Sequence, residues 1–227
     1  MKKREFSEKD EKGLKVLSKI IYIVAKIMKV CSLIVFVCAI LGFVACLIVL
    51  PKISINKDDN TIKVFNYERK YTLTDEKLII DEDNNVVIKF ENNEKKYVDD
   101  FINMSMVKRV VIPSFGLFIV VVSMFFAYKL FGYMGIFFLN IYNSKVPFIS
   151  DNIKVLENVI VNLVSYLLIP DAMSSIFELL TDYSYTSVDF LDDIFLVLIV
   201  VVGWILYKNG CDLQNASSDK KVVKKEK

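Results

Sequence analysis

The residues from Val30 to Leu50, VCSLIVFVCAILGFVACLIVL, carry no charge, and nothing polar larger than Ser32 interrupts them before Pro51. A helix needs roughly 20 apolar residues to cross a hydrocarbon core of about 30 Å, so this run predicts a membrane span. Three more apolar runs follow, and the pattern predicts spans at 30–50, 110–142, 153–182 and 188–209. The expected fold class is membrane all-α, a four-transmembrane-helix bundle with a small extracytoplasmic antiparallel β meander inserted between helices 1 and 2.

Two of these helices should outrun the bilayer on the same side. In residues 1–29, Lys12, Lys15, Lys19, Lys26 and Lys29 recur at three- and four-residue spacing, with Tyr22 filling the gap, which puts them on one stripe of a helix. Leu14, Leu17, Ile20, Ile21, Val24, Ile27 and Met28 lie opposite. This is a basic amphipathic helix leading into the first span, suited to an anionic leaflet or to the cytosol. Beyond Lys129 the second span continues through Phe131, Tyr133, Phe137, Phe138 and Tyr142. The expectation is a short stalk in which this aromatic surface covers the apolar stripe of the first helix. Residues 143–152, broken by Pro147, read as a turn, and Ser150, Asp151 or Asn152 offers an N-cap for the third helix.

The insert, residues 51–105, has a different texture. Alternation in Thr61 to Thr74 and Lys77 to Phe90, broken at Asp58-Asp59-Asn60 and Asp81 to Asn85, predicts three to five short strands. A sheet this small, with no cysteine, is marginal alone and is expected to lean on the bilayer surface or a partner.

In the third span Glu157, Asn162 and Ser165 interrupt the apolar run, and Pro170-Asp171 are expected to end or kink it. These polar groups should track one side of the helix and face other helices, where interhelical hydrogen bonds are favoured over an ion or proton path. Trp204 and Tyr207 suit the interface at the end of the fourth span. Residues 210–227, ending KKVVKKEK, are too polar to fold alone and read as a disordered basic tail.

Charge sets the orientation. The net charge of +2 says little, but its distribution does: residues 1–29 hold nine Lys or Arg against four acids, Lys145 marks the turn, and no base occurs from 155 to 207. The positive-inside rule then puts both termini in the cytosol and the meander outside, in a multi-pass cell-membrane protein. The chain has no histidine, which removes the commonest general base and zinc ligand. It also has no HExxH, GxSxG or Gly-rich phosphate loop. No catalytic, metal or cofactor-binding residue is expected, and a basic groove interleaved with aromatics, as direct nucleic-acid binding requires, is missing. Cys31 and Cys38, a heptad apart, read as small buried residues at a helix contact. Phe43-Val44-Ala45-Cys46 resembles a bacterial lipobox, but the segment before it is too long and the residues after it too apolar, so no cleavage is expected.

Two stretches resemble a known family. Pro147-Phe148-Ile149-Ser150-Asp151-Asn152, followed by Leu156, is similar to the PF-x-x-x-N-x-x-x-L turn between the second and third spans of the bacterial domain of unknown function 2975 family (DUF2975). Tyr207-Lys208-Asn209-Gly210-Cys211-Asp212-Leu213-Gln214 looks like that family's aromatic-basic-x-G-x-x-L-Q ending, and the resemblance covers about residues 30 to 215. It implies four spans with an extracytoplasmic insert after the first, no substrate and no catalytic residue. By analogy it suggests a membrane partner that holds a small helix-turn-helix DNA-binding regulator. Within the ending, Gly210 stands where a helix C′ residue turns left-handed, and Leu213 could fold back on the last turn, which reads as a helix stop.

The function expected is a non-enzymatic regulatory or accessory protein. Its cytosolic face, residues 12–29, 131–150 and 208–227, would bind a partner, through Pro147, Phe148, Asn152, Gly210, Leu213 and Gln214, or would bind a second copy of itself. The alternatives are a small transporter or channel subunit, for which Glu157, Asn162, Ser165 and Asp171 are the intramembrane polar groups, and a toxin immunity protein. Besides protein, the lipid bilayer is the implied partner.

Overall fold

The structure, a computed structural model, describes residues 8–57, 59–74, 77–80, 86–89, 94–144, 148–181 and 190–223. The chain divides into two compact units, one formed by Met1–Val37 with Ile119–Lys227 and the other by Cys38–Phe118. Among the described residues, four helices are long and apolar enough to cross a membrane. They are α1 (Glu8–Val49), α3 (Met106–Asn143), α4 (Asp151–Thr181) and α5 (Phe190–Val223), while a shorter helix, α2 (Glu94–Asn103), precedes α3.

In the second unit a 3₁₀ turn, Leu50–Lys52, carries the chain off α1 into a meander of β1 (Ile53–Asn56), β2 (Thr61–Val64), β3 (Tyr67–Leu73), β4 (Lys77–Ile80) and β5 (Val86–Lys89). The described strands form one antiparallel sheet in sequence order. Cross-strand pairs Ile55–Ile62, Tyr71–Ile80 and Leu73–Leu78 put apolar side chains on one face. Asn60 and Phe65 close the first two hairpins with positive φ. Asn tolerates that conformation, whereas a ring-bearing residue adopts it only when the surrounding turn imposes it. Here the Phe65 amide donates to the Lys52 carbonyl at 3.1 Å.

The insert of 51–105 holds strands in the expected number and, in addition, the unexpected helix α2. Val98 and Ile102 of that helix complete the core with Tyr71 and Leu78, so the sheet's apolar face is covered from within the same unit. The helix was hidden because its apolar positions are few and flanked by charges, and because it lies next to an alternating run. Arg109, buried at the start of α3, closes the end of α2: Nη2 donates to the carbonyls of Met104 at 2.8 Å and Ile102 at 3.4 Å, and the guanidinium lies over Phe101. These are carbonyls a helix end leaves without an internal donor. Arg109→Met should therefore cost about 1.5–3 kcal/mol and speed amide exchange in residues 94–103 more than in the strands, as hydrogen–deuterium exchange would measure.

In the first unit α1 and α3 pair antiparallel, but not through the face expected. Gly135 of α3 meets Tyr22 and Ala25 of α1, Gly132 meets the Lys29 stem at 3.6 Å, and Phe36 packs on Phe125. The buried positions of α1 here are Ser18, Ala25 and Ser32. Ala25 of α1 lies against Gly135 of α3, and the lysines bend over tyrosine rings, Lys29 at 4.7 Å from Tyr128 and Lys19 at 5.9 Å from Tyr142. The aromatic surface of α3 thus meets Lys19 and Lys29 of the lysine stripe. The opposite apolar stripe, with Leu17, Ile20, Val24, Ile27 and Met28, stays exposed. Cys31 and Cys38 are also exposed and not helix contacts, because the buried heptad runs one position away.

α4 runs through Pro170 to Thr181, close to the expected span of 153–182, even though proline offers no N–H to the carbonyl one turn back. One helix end differs from expectation. α5 does not stop at Gly210: no glycine has positive φ, the helix continues through residues expected to be a disordered tail, and Leu213 points away with 73 % of its surface exposed. The reason is the joint described next, for which the extra turns of α5 supply side chains.

Candidate functional site: a buried joint at one end of the helices

α5 places Tyr207, Gly210, Cys211 and Gln214 on one face, because steps of three, four and seven return to the same side of a helix. That face receives the chain between α3 and α4. Phe148 lies on Gly210, with its ring 5.4 Å from that of Tyr207, and Tyr207 in turn packs on Phe137 of α3 at 5.3 Å. There is no room for a side chain at 210. A Cβ built there falls 2.6 and 2.7 Å from Cδ1 and Cζ of Phe148 and closer still to Cε1.

Polar groups in this turn find their partners on side chains rather than in regular structure. The Gln214 amide donates to the Phe148 carbonyl at 2.8 Å, and the Ile149 N–H donates to the Tyr207 hydroxyl at 2.9 Å. The same hydroxyl lies 3.4 Å from the Ile149 carbonyl, to which it donates. Asn152, in the first turn of α4 and 0 % exposed, ties three elements together. Its Oδ1 accepts from Asn140 of α3 at 2.6 Å, while its Nδ2 donates to the Phe137 carbonyl at 3.3 Å and to Tyr207 at 3.4 Å. Buried polar groups persist only when so satisfied. The arrangement fixes the α3–α4 turn onto α5, and Cys211 beneath it is 1 % exposed.

Of the residues singled out from sequence, Phe148, Asn152, Gly210 and Gln214 therefore come together, Leu213 faces away, and Pro147 lies outside the described residues. These four make contacts within the chain, with Asn152 buried and Phe148, Gly210 and Gln214 half-buried. Tyr207, expected at an interface, is the hub of the joint, and its spacing to Gly210 and Gln214 was the available signal. Asn140 and Cys211 carried none.

The polar residues of α4 separate. Asn162 is buried and donates to the Asn158 carbonyl of its own helix at 2.7 Å, Ser165 is half-buried, and Glu157 is exposed. Five residues turn a helix by about 500°, so Glu157 sits well around from Asn162, and one shared polar face does not exist. Asp171 lies within hydrogen-bonding reach of Asp193 on α5. Among the described residues no three His, Cys, Asp or Glu side chains gather as a metal site would require. No family model, curated protein or solved structure was found that matches the chain.

Proposed function

We propose that the chain is a four-span membrane protein with both termini in the cytosol, acting without catalysis as a regulatory or accessory protein that binds a cytosolic partner. The observation that carries this reading is the joint itself. α1, α3 and α5, at about 63, 57 and 51 Å by their residue counts, each exceed a hydrocarbon core of about 30 Å. At the basic end the α3–α4 turn is packed between α3 and α5. The turn and α5 are locked there, and Leu206 and Leu213, a heptad apart on α5, are exposed beside Lys208. An apolar stripe rimmed by charge on a rigid helix suits an amphipathic helix of another protein. The resemblance to the DUF2975 family favours a small helix-turn-helix regulator as that partner.

The test is a photo-crosslinker at Leu213 in intact cells, with and without Leu206→Arg. Capture of a DNA-binding protein, lost in the variant, is expected; adducts only to lipid and to other copies of the chain would sink the reading. Two companion measurements address placement: the protein should stay with membranes in carbonate, and a reporter inserted at residue 85 should lie outside. A cytosolic reporter there would reverse the topology.

A further inference from the structure

α1 carries a second heptad face, opposite the one that α3 covers. From Val16 to Ile48, every position reached by alternating steps of four and three is Val, Ile or Leu, and every one is exposed, by 45 to 64 %. In coiled-coil terms Ile20, Ile27 and Ile34 take a positions and Val16, Ile23 and Val30 take d positions. Leu41 is the one residue of the seam that is not β-branched. The flanking positions differ: Lys19 and Lys26 precede a positions, and Cys31, Cys38 and Ala45 follow d positions. A seam of bulky β-branched residues with small or long-stemmed neighbours is what knobs-into-holes packing between helices requires.

Lipid can cover only part of it. Val16 to Ile48 spans about 48 Å along the helix, and a tilt of 40°, the upper end of the usual range, still leaves a projected length of about 37 Å against a core of about 30 Å. The part lying toward Val16 sits among the lysines, where apolar surface left in water is costly.

We propose that a second copy of this chain covers this face, with copies joined in parallel along the α1 seam. Parallel alignment follows from the membrane reading above, on which this rests, since copies inserted the same way point the same way. In register, like layers meet like layers, Ile on Ile and Val on Val. Lys19 stays over Tyr142 of its own chain, while Lys26 faces Cys31 of the next copy, so no like charges oppose one another, and the Lys26 stem lies on apolar surface with its ammonium free to reach water.

The experiment is oxidative crosslinking of the full chain in native membranes, in a Cys31→Ala/Cys38→Ala/Cys46→Ala/Cys211→Ala background. Single cysteines are placed on the seam (Ile23→Cys, Ile27→Cys, Val30→Cys) and at exposed positions off it (Met28→Cys, Val35→Cys). Disulfide geometry demands Cα atoms within about 7 Å, so a product of twice the chain's mass is expected at 23, 27 and 30 and none at 28 and 35. Equal yields on and off the seam, no product at any position, or seam products only of a foreign mass would each overturn the proposal. Carbonate washing of the same membranes separates the two ideas. A chain that washes off yet crosslinks with the seam's period sinks the membrane reading and leaves the seam standing.

Discussion

Gly210→Ala destabilises the protein by roughly 1–3 kcal/mol, the range for forcing extra carbon into a filled site, although the same change in an open helix gains up to about 1 kcal/mol. The sign is the diagnostic. At Gly210 the new methyl would overlap the Phe148 ring, whereas at Gly203, on the same helix, nothing lies within 4 Å. Gly203→Ala should therefore leave the thermal midpoint of the detergent-solubilised protein unchanged or raised, while Gly210→Ala lowers it. A double-mutant cycle completes the argument: in a Phe148→Ala background the ring is gone, and Gly210→Ala should then cost nothing, a non-additivity expected only of residues in contact. Equal effects of the two glycine substitutions would mean that the ring does not rest on α5.

What the sequence made legible and what it hid divide along a physical line. The long apolar helices and the strand alternation were readable because each sets a pattern on every residue of its element, an unbroken apolar run in one case and a period of two against one sheet face in the other. The residues Phe148, Asn152, Gly210 and Gln214 were also legible as a group, but not their arrangement. A glycine late in a helix means a left-handed cap when the chain turns away, and close approach when something large packs on it. Only the position of Phe148 decides between them. Likewise Cys31 and Cys38 share a face, but so do Ser18, Ala25 and Ser32, and which small stripe is buried depends on Gly132 and Gly135 of a helix a hundred residues away. α2 was missed because it is stabilised by the sheet it covers, through Val98 and Ile102, more than by its own sequence. Periodicity specifies elements; the pairing of their faces is a property of two stretches at once.

Asn152 and Asn162 put that distinction to a quantitative test, because both are buried asparagines on α4 and only their partners differ. Asn162 bonds to a carbonyl of its own helix, which keeps its ordinary backbone donor when the side chain is removed. Asn162→Leu should thus change stability by less than about 1 kcal/mol, a swap of one net hydrogen bond against added apolar burial. Asn152 instead serves Asn140, the Phe137 carbonyl and Tyr207. Asn152→Leu strands the Asn140 amide and removes a partner of the Tyr207 hydroxyl, at about 1–3 kcal/mol for each group left unsatisfied, so a total near 3 kcal/mol is expected. Asn152→Asp should not rescue it, because an ionised carboxylate keeps the acceptor for Asn140 but turns an acceptor toward the Phe137 carbonyl. The joint reports its own opening through Cys211, which is 1 % exposed beneath it. In a Cys31→Ala/Cys38→Ala/Cys46→Ala background, maleimide labelling of Cys211 should be slow in the parent and in Asn162→Leu but fast in Asn152→Leu. Protection of Cys211 in all three would mean that the turn stays on α5 without Asn152, and that the buried amide is not what holds it.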